Sequence, residues 1–455
     1  MHSKLTFFSG TGSAVTAKIF KAMLTVGSLS LIVRAVDALI YLLAAALFGA
    51  GDEMDALLIA LIVPVFLINI FSGAFHTSFI PAYIKVRNDH GGPDESERVA
   101  SQRFFASVMM LGAALLIVLT LALSLSGSYL LPIFGSGFNP LKLQLTRSLF
   151  FILIPTLLFS SLARMWAAVL NAAEKFKLAA LSPAIKSIIL IGFLLTMAPY
   201  WGIYAFAWGM AVGSFVEMVV LADGIRRQNL PVWPRWHGMS ADLKQVLRQF
   251  APMAAGSILM GSTELIDHSM AAMLGPGSVS TLSYANKIVM FVLVVSSGAL
   301  GTAVFPYFSQ MAANQDRRGI IDTLKIYSRL IILFSLPVTA LLYYFSLPLV
   351  RILFERGAFT IHDTRQIATV VSIYGFQITF YLLSIMEVRL ISALRGNHIL
   401  MVSTMISLPL NILFNYIFMH FMGVAGIALS TVLVYLLAFV FLTVMLFKRM
   451  VRLIP

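Results

Sequence analysis

Long apolar runs separated by short polar stretches fill the chain from about residue 23 onward. An α-helix needs about 20 mainly apolar residues to cross the hydrocarbon core of a membrane. A window of about 19 residues therefore predicts twelve membrane-spanning helices. They are predicted near residues 23–48, 55–83, 104–131, 149–170, 178–198, 201–222, 250–274, 281–309, 327–350, 367–393, 399–420 and 424–447. The pattern predicts an all-α integral membrane protein.

Composition supports this interpretation and excludes several others. Hydrophobic residues make up 59% of the chain, charged residues 11%, and the mean hydropathy is +0.91, whereas soluble domains are about 45–50% apolar and about 25% charged. The net charge of +13 comes from basic residues spread between the apolar runs, so we expect no nucleic-acid partner. The chain has no Cys, which excludes disulfides, thiolate metal sites and Cys nucleophiles.

The basic residues predict the orientation. Of the 32 Lys and Arg residues, twenty-two lie at the two ends of the chain or in the even-numbered loops, five lie in the odd-numbered loops and five lie within predicted helices. Because Lys and Arg are enriched in cytoplasmic loops, both termini are predicted to be cytoplasmic. The first 22 residues lack a compact apolar segment followed by a small-residue cleavage site, so we expect no cleaved signal peptide.

The chain contains an internal repeat. The string SGAFHTSFIP at residues 72–81 and the string SGALGTAVFP at residues 297–306 share five identities in ten. Two further correspondences occur in the same order, at 48–51 with 274–277 and at 202–205 with 423–426. Chance recurrence of small residues at helix contacts is the alternative explanation.

This repeat predicts the domain organisation. Six helices separate equivalent points, so the two halves should have the same orientation in the membrane. We predict an N-terminal lobe at 1–225, a cytoplasmic linker at 226–249 and a C-terminal lobe at 250–455, with the two parallel six-helix lobes enclosing a central cavity. Such a cavity is typical of proteins that transport solutes.

A motif after the ninth predicted helix points to a family. Residues 353–360 read LFERGAFT and resemble the LFxxGxFT signature of the MurJ/MviN lipid II flippases, in the superfamily that also contains the MATE exporters. The segments 48–56 and 170–183 agree as well. The resemblance implies fourteen helices, the last two forming a groove for a polyprenyl tail, so this chain is expected to be a divergent member without those two.

The resemblance implies a function. Family members move a polyprenyl-diphosphate-linked glycan precursor from the cytoplasmic to the periplasmic leaflet of the bacterial inner membrane by alternating access. We therefore expect a lipid-linked anionic glycan as substrate, with lipid II favoured over a capsule or exopolysaccharide precursor. Membrane lipids are expected partners, glycan-assembly enzymes are a further candidate, and no cofactor is required.

Charges within predicted helices are candidate substrate-binding residues, because an ionisable group there costs at least about 2.5–3.5 kcal/mol. The family lines its N-terminal cavity with several arginines, and of these only Arg34 is present here. Lys287 stands in a segment resembling the YADR motif of the family. Arg34 and Lys287 are predicted to bind the diphosphate, with Asp37 and Asn286 beside them.

Simpler explanations remain open for these charges. An ion pair with Asp37 one turn away would also account for Arg34, and Lys287 would also be explained if its amine reached the periplasmic interface. Arg164, Lys186 and Arg389 lie nearer to helix ends, where contact of the charged group with the interface is the favoured explanation. The alternative for these three is a basic funnel that attracts an anionic headgroup.

A second set of residues is suited to a cation. Asp267, Asn411, Asn415 and Thr431 supply the oxygen atoms that hard cations require, and the eleventh and twelfth helices are consecutive and antiparallel. The family resemblance adds the Ile427 carbonyl and implies a sodium ion in the C-terminal lobe, with Asn415 where the family has an acid. Asn hydrogen bonding between helices without an ion is the alternative, and Glu264 is a second carboxylate one turn from Asp267.

Three other functions are alternatives to a flippase. A MATE-like exporter of small cationic or amphipathic compounds predicts a cavity lined by carboxylates, whereas the charges kept in the first and eighth helices are basic. An enzyme of polyprenyl-linked sugars would need a long periplasmic loop with a catalytic set, and the odd-numbered loops are too short. A scaffold that has lost transport is the third alternative, since most of the cavity arginines are missing.

Overall fold

The computed structural model describes residues 11–90, 95–314 and 316–452. Within these ranges the chain forms fourteen α-helices and no strand. They are α1 (Thr11–Phe48), α2 (Asp52–His90), α3 (Glu95–Phe134), α4 (Pro140–Leu153), α5 (Pro155–Ala172), α6 (Phe176–Trp201), α7 (Tyr204–Arg226), α8 (Ala241–Ala271), α9 (Ser278–Ala313), α10 (Arg317–Phe354), α11 (Ile361–Tyr374), α12 (Gln377–Ala393), α13 (Asn397–Met422) and α14 (Val424–Arg452). The predicted all-α fold is confirmed.

Two predicted helices are each divided in two. The fourth forms α4 and α5, which are separated at Ile154 because Pro155 lacks the N–H group that would continue the backbone ladder. The tenth forms α11 and α12, which meet at Gly375 and Phe376. At both breaks a shorter i→i+3 bond closes the turn, Leu157 N to Ile154 O at 3.0 Å and Ile378 N to Gly375 O at 3.2 Å. Each pair still forms one apolar span, Pro140–Ala172 and Ile361–Ala393.

Eleven segments of the described chain are long and apolar enough to cross a membrane. Of the twelve predicted spans, the seventh, at residues 250–274, is not among these eleven. It forms the helix α8, but α8 carries Glu264, Asp267 and His268 in its last turns, and it is the most polar of the long helices. A polar helix in a membrane protein needs partners for its side chains within the protein or in water.

The predicted repeat is visible in the helix lengths. In the first half α4, α5 and α6 contain 14, 18 and 26 residues, and in the second half α11, α12 and α13 contain 14, 17 and 26. The caps that follow α6 and α13 also match, with Gly202 at φ 55° and ψ −138° and Gly423 at φ 58° and ψ −133°. The same helical unit therefore occurs twice, although the side chains of 297–306 lie outside the described residues.

Backbone contacts sort the described residues into two compact units. Unit 1 lies within Met1–Leu43, Leu67–Gly127 and Leu149–Ala255, and unit 2 within Ala44–Phe66, Ser128–Ser148 and Gly256–Pro455. The predicted lobes at 1–225 and 250–455, with the linker at 226–249, follow from the sequence repeat and not from these contacts. They stay a prediction.

Close packing of α6 on α7 is the main feature of unit 1. Gly213 of α7 lies directly against the backbone of α6, where a Cβ atom would come within 2.8 Å of the Lys186 carbonyl oxygen. Small residues allow such approach between membrane helices, which have no hydrophobic driving force for association in lipid. Gly213 thus brings the α6 backbone at Lys186 against α7.

We predict that Gly213→Ala destabilises the protein by about 1–3 kcal/mol, because the added methyl group forces α6 and α7 apart. Gly192→Ala is the matched control, since that glycine is also within a helix and a Cβ atom there meets nothing within 4 Å. It should be neutral or stabilising by up to about 1 kcal/mol. Apparent unfolding temperatures in detergent would measure both effects, and equal values for the two variants would contradict the packing argument.

Candidate functional site

Arg34 and Asp37 do not form the ion pair that was the simpler explanation for Arg34. Asp37 is half-buried and accepts a hydrogen bond from the Ser187 hydroxyl of α6 at 2.6 Å. The Arg34 side chain is exposed on α1, and no ion pair joins it to Asp37 within the described chain. Its guanidinium is therefore free to meet an external group.

A cluster of charges lies inside unit 1, and we name it the unit 1 charge cluster: Asp37, Arg164, Lys186 and Glu217. Glu217 of α7 is 6% exposed and accepts a hydrogen bond from Ser182 at 3.3 Å. The charges of Lys186 and Arg164 both act on it. The buried acid is thus compensated by nearby cations, as burial of a charge requires.

Arg164 links this cluster to α2. Its Nη1 atom donates to Asn69 Oδ1 at 3.0 Å, and both side chains are exposed. Asn69 belongs to a stripe of exposed polar or small positions on α2, which continues with Gly73, His76 and Thr77. These residues lie 17–25 positions after the start of the span Asp52–Val86, so this polar face is well inside the apolar segment.

Lys287 and Asn286 are half-buried on α9 and belong to unit 2. Lys287 has an interaction partner. Arg34 belongs to unit 1. The joint binding of one diphosphate by Arg34 and Lys287 therefore stays a prediction.

The predicted cation ligands do come together, in unit 2. Asp267 is 6% exposed, and its Oδ1 atom accepts from Asn411 Nδ2 at 3.0 Å and from Asn415 Nδ2 at 2.7 Å. Its Oδ2 atom accepts from the Thr431 hydroxyl at 3.2 Å, and this hydroxyl also lies 3.1 Å from the Ile427 carbonyl oxygen. The hydrogen-bonded arrangement that was the alternative to a cation is thus present in the structure.

One oxygen of this cluster has no hydrogen-bond partner in the part of the chain that the structure describes. Asn415 Oδ1 is buried and lacks a hydrogen-bond partner among the described residues. Together with the Asp267 carboxylate, the Asn411 and Thr431 side chains and the Ile427 carbonyl it forms a set of oxygen donors of the type that hard cations take. Glu264 is exposed one turn away and is not part of this set.

One buried ion-pair cluster was missed by the sequence reasoning. Lys142 at the start of α4 is 7% exposed and donates to Asp52 at 2.6 Å and to Asp55 at 2.8 Å. Asp55 also accepts from the backbone N–H groups of Gly277 and Ser280 at 2.8 Å each, at the N-terminus of α9. A carboxylate at a helix N-terminus is favoured by the unpaired N–H groups and the helix dipole, so Asp55 ties α2, α4 and α9 together.

The LFERGAFT motif forms the turn between α10 and α11. Phe354 and Phe359 are buried and pack against Tyr284 of α9, with ring centroids 5.2 and 6.0 Å apart. Gly357 has φ +61° and Thr360 caps α11 in a capping box with Asp363. The Ala358 N–H donates to the Ala46 carbonyl at 2.8 Å. The Phe, Gly, Ala and Thr residues of this motif therefore hold unit 2 together by packing, a left-handed turn, a backbone hydrogen bond and a helix cap.

The family of this chain is shown by a match to a protein-family model. The family model described as "Lipid II flippase MurJ" matches residues 44–454. The chain belongs to the MurJ family. It is therefore a multi-pass membrane protein, in agreement with its eleven apolar spans.

Individual MurJ relatives and solved structures agree with this assignment. The chain is 28% identical over 419 residues to the probable lipid II flippase MurJ of Buchnera aphidicola subsp. Schizaphis graminum, covering 90% of this chain and 80% of that protein. The structure of a lipid II flippase MurJ in an inward closed conformation superposes with a TM-score of 0.78 at 22% identity, over 92% of this chain and 87% of the other. An inward-facing MATE transporter gives 0.75 at 15% identity, over 94% and 99%. The chain thus shares its fold with this MurJ structure and with this MATE transporter.

The sequence patterns did not predict a role for two further buried acids of this MurJ-family chain, Glu217 and Glu387. Glu387 of α12 is 4% exposed, and one of its oxygens accepts from the Thr443 hydroxyl of α14 at 2.6 Å. Its other oxygen is buried without a partner among the described residues. An acidic residue within the apolar run 367–393 was the signal that could have found it, just as Glu217 is one within 201–222.

We predict that Asp55→Asn lowers the free energy of unfolding by about 3–5 kcal/mol, because it leaves the buried Lys142 amine without its buried counter-charge. Asp52→Asn is the matched control. Asp52 contacts the same amine, but 49% of its side chain is exposed, so its loss should cost less than about 1 kcal/mol. Thermal unfolding of the purified variants would test this. A larger loss of stability for Asp52→Asn than for Asp55→Asn would show that Asp55 is not the main counter-charge of Lys142.

Proposed function

We propose that this chain is a lipid II flippase, which carries the polyprenyl-diphosphate-linked peptidoglycan precursor from the cytoplasmic to the periplasmic leaflet of the bacterial inner membrane. Family membership supports the class of transporter. A flippase moves its substrate without making or breaking a covalent bond, so the chain needs binding groups and a change of access rather than catalytic residues.

The observation that carries the proposal is the distribution of charge inside unit 1. Away from the helix ends, its acids Asp37 and Glu217 are half-buried or buried and accept hydrogen bonds from Ser187 and Ser182. Its exposed charges there are the cations Arg34 and Arg164. A guanidinium offers paired N–H donors that match phosphate oxygens, so each of these two arginines suits a phosphate group.

The polar face of α2 supports the same conclusion. Asn69, His76 and Thr77 are exposed within an apolar span. Thr77 donates to a carbonyl of its own helix and Asn69 accepts from Arg164, but hydrocarbon would offer the His76 imidazole no hydrogen-bond partner. We infer that this face meets water or a polar guest. A saccharide headgroup, rich in hydroxyl groups, would find donors and acceptors there.

A MATE-like exporter of cations is the competing function. It would require carboxylates that are exposed to the guest, whereas in unit 1 the acids within the spans are turned to protein partners and the exposed groups are basic. The arrangement therefore favours an anionic substrate. A capsule or exopolysaccharide precursor also contains a diphosphate, and only a transport assay can separate it from lipid II.

The Asp267 cluster fits a sodium ion that would help to reset the transporter. Asp267, Asn411, Asn415, Thr431 and the Ile427 carbonyl would hold it, with Asn415 Oδ1 as an oxygen that is otherwise unsatisfied. Replacing hydrogen bonds by an ion would change how strongly α8, α13 and α14 are joined. The membrane potential is a second energy source, at about 2.3 kcal/mol per charge per 100 mV.

Complementation of cells depleted of their lipid II flippase tests the function. We expect this chain to restore growth and Arg34→Ala or Arg164→Ala to abolish it, because each loss of a charge-assisted hydrogen bond of about 1.5–3 kcal/mol weakens diphosphate binding about 10- to 100-fold. Arg34→Lys should retain part of the activity, since the charge remains.

The matched control is Arg226→Ala, which removes an exposed arginine of unit 1 at the end of α7. It should complement like the unmodified chain. If the unmodified chain reaches the membrane and does not restore growth, lipid II is the wrong substrate. If both arginine variants restore growth at equal expression, the role given to these cations is wrong.

The sodium proposal has its own test. Sodium chloride, compared with choline chloride, should raise the unfolding temperature of the unmodified chain, by the equivalent of about 1.4 kcal/mol at ten times the dissociation constant. Asp267→Asn should remove this effect, while Glu264→Gln, one turn away and exposed, should keep it. Asn415→Asp adds a second carboxylate and should make the unfolding temperature more dependent on sodium. A sodium effect that persists in Asp267→Asn would show that the ion does not bind at this site.

A further inference from the structure

A groove between α13 and α14 has the two-part chemistry of an amphiphile site. Its cavity volume is about 420 Å³, and it lies wholly within unit 2. One end is basic and the other is apolar. At this end of the molecule α13 begins at Asn397 and α14 approaches its last residue, Arg452.

The basic end is formed by His398, Lys448 and Arg449. His398 and Lys448 are exposed. The Arg449 guanidinium is held in place by a hydrogen bond from Nη2 to the Leu394 carbonyl at 2.7 Å, yet its Nε atom is buried and has no partner among the described residues. The Arg449 Nε–H group is thus a fixed donor that can form a hydrogen bond to an acceptor of a bound ligand.

The start of α13 adds to this positive end. The groove is lined by His398 and Ile399 in the first turn of this helix. The Ile399 N–H donates to the Gly396 carbonyl at 2.8 Å, whereas the His398 N–H is among the first-turn groups that lack a partner within the helix. N–H groups at a helix N-terminus favour phosphate. No acidic residue lines the groove, so its charge is complementary to a phosphate monoanion.

The apolar end is formed by Ile399, Val402, Phe441 and Met445. Phe441 stands two turns before Arg449 on α14, so the apolar surface continues along the helix from the basic end toward the interior of the span Val424–Met450. The volume is too small for a long polyprenyl chain and suits the upper part of an acyl chain. The flexible Met side chain adapts to such a chain.

We propose that this groove binds an anionic phospholipid, with its phosphate at His398, Lys448 and Arg449 and an acyl chain against Val402 and Phe441. Basic pockets between membrane helices on the cytoplasmic side are suited to anionic headgroups, and the orientation predicted from Lys and Arg places this end there. The proposal does not depend on the transported substrate, since it concerns a resident lipid.

Native mass spectrometry of the full-length chain in detergent tests the proposal. Incubated with equal concentrations of dioleoyl phosphatidylglycerol and dioleoyl phosphatidylcholine, the protein should retain phosphatidylglycerol preferentially. The double variant His398→Gln, Lys448→Gln should bind phosphatidylglycerol at least about fivefold more weakly, the factor for one basic residue near an anionic lipid. Arg449 is left unchanged because it also bonds Leu394.

Two further variants separate this site from general surface charge. Lys244→Gln, Arg248→Gln removes two exposed basic residues of α8 in unit 1 and should leave retention unchanged. Val402→Trp fills the groove without changing charge and should weaken phosphatidylglycerol binding while the unfolding temperature stays the same. Equal losses in the two charge variants, or no loss in the groove variants, would overturn the proposal.

Competition separates the sources of phosphate. Inorganic phosphate at the concentration of the lipid should not displace phosphatidylglycerol, because it lacks the acyl chain. Undecaprenyl diphosphate should not displace it either. Displacement by inorganic phosphate would show a plain anion site. Displacement by undecaprenyl diphosphate would assign the groove to the transported substrate. Either result would refute a resident phospholipid.

Discussion

An ionisable side chain inside a membrane must have a partner in the protein or reach water, and this constraint explains most of the structure. Glu217 has Ser182 and two cations, Asp55 has Lys142 and two backbone N–H groups, and Asp267 has two amides and a hydroxyl. Glu217 joins the consecutive helices α6 and α7, whereas Asp55 and Asp267 join helices that are far apart in sequence. The cost of burying the charge is offset only when all its partners are in place, so the acids specify which helices meet.

The same constraint applies to the exposed cations of unit 1, which need contact with water or with an anionic guest. In unit 1 the acids within the spans are turned to partners, while Arg34 and Arg164 remain exposed on α1 and α5. A cation in this position lowers its free energy by contact with water or with an anionic guest. Arg164 is further held by Asn69 and by the charge of Glu217, so its guanidinium is oriented before a guest arrives, and less conformational entropy is lost on binding.

Sequence reasoning predicted the features that depend on local pattern. Apolar runs gave the helices, Gly202 and Gly423 marked equivalent turns, and the oxygen-bearing residues Asp267, Asn411, Asn415 and Thr431 were correctly placed together because consecutive antiparallel helices bring such side chains to one depth. The break at Ile154 was missed because hydropathy stays high through it. The pairing of Lys142 with Asp52 and Asp55 was missed because about ninety residues separate the partners and no periodicity connects them.

The Asn side chains of the proposed sodium site would allow this cluster to exist both with and without an ion. An amide carries two donor hydrogens on one side and an acceptor oxygen on the other. In the structure Asn411 and Asn415 donate to Asp267, which satisfies the carboxylate without an ion. Rotation of an amide would present its oxygen instead, and a cation would then replace the lost hydrogen bonds. An acid at position 415 could not make this exchange, since a carboxylate has no hydrogen to donate. At the proposed sodium site Asn415 would therefore favour the ion-free state and weaken ion binding, and a weakly held ion would be released more readily.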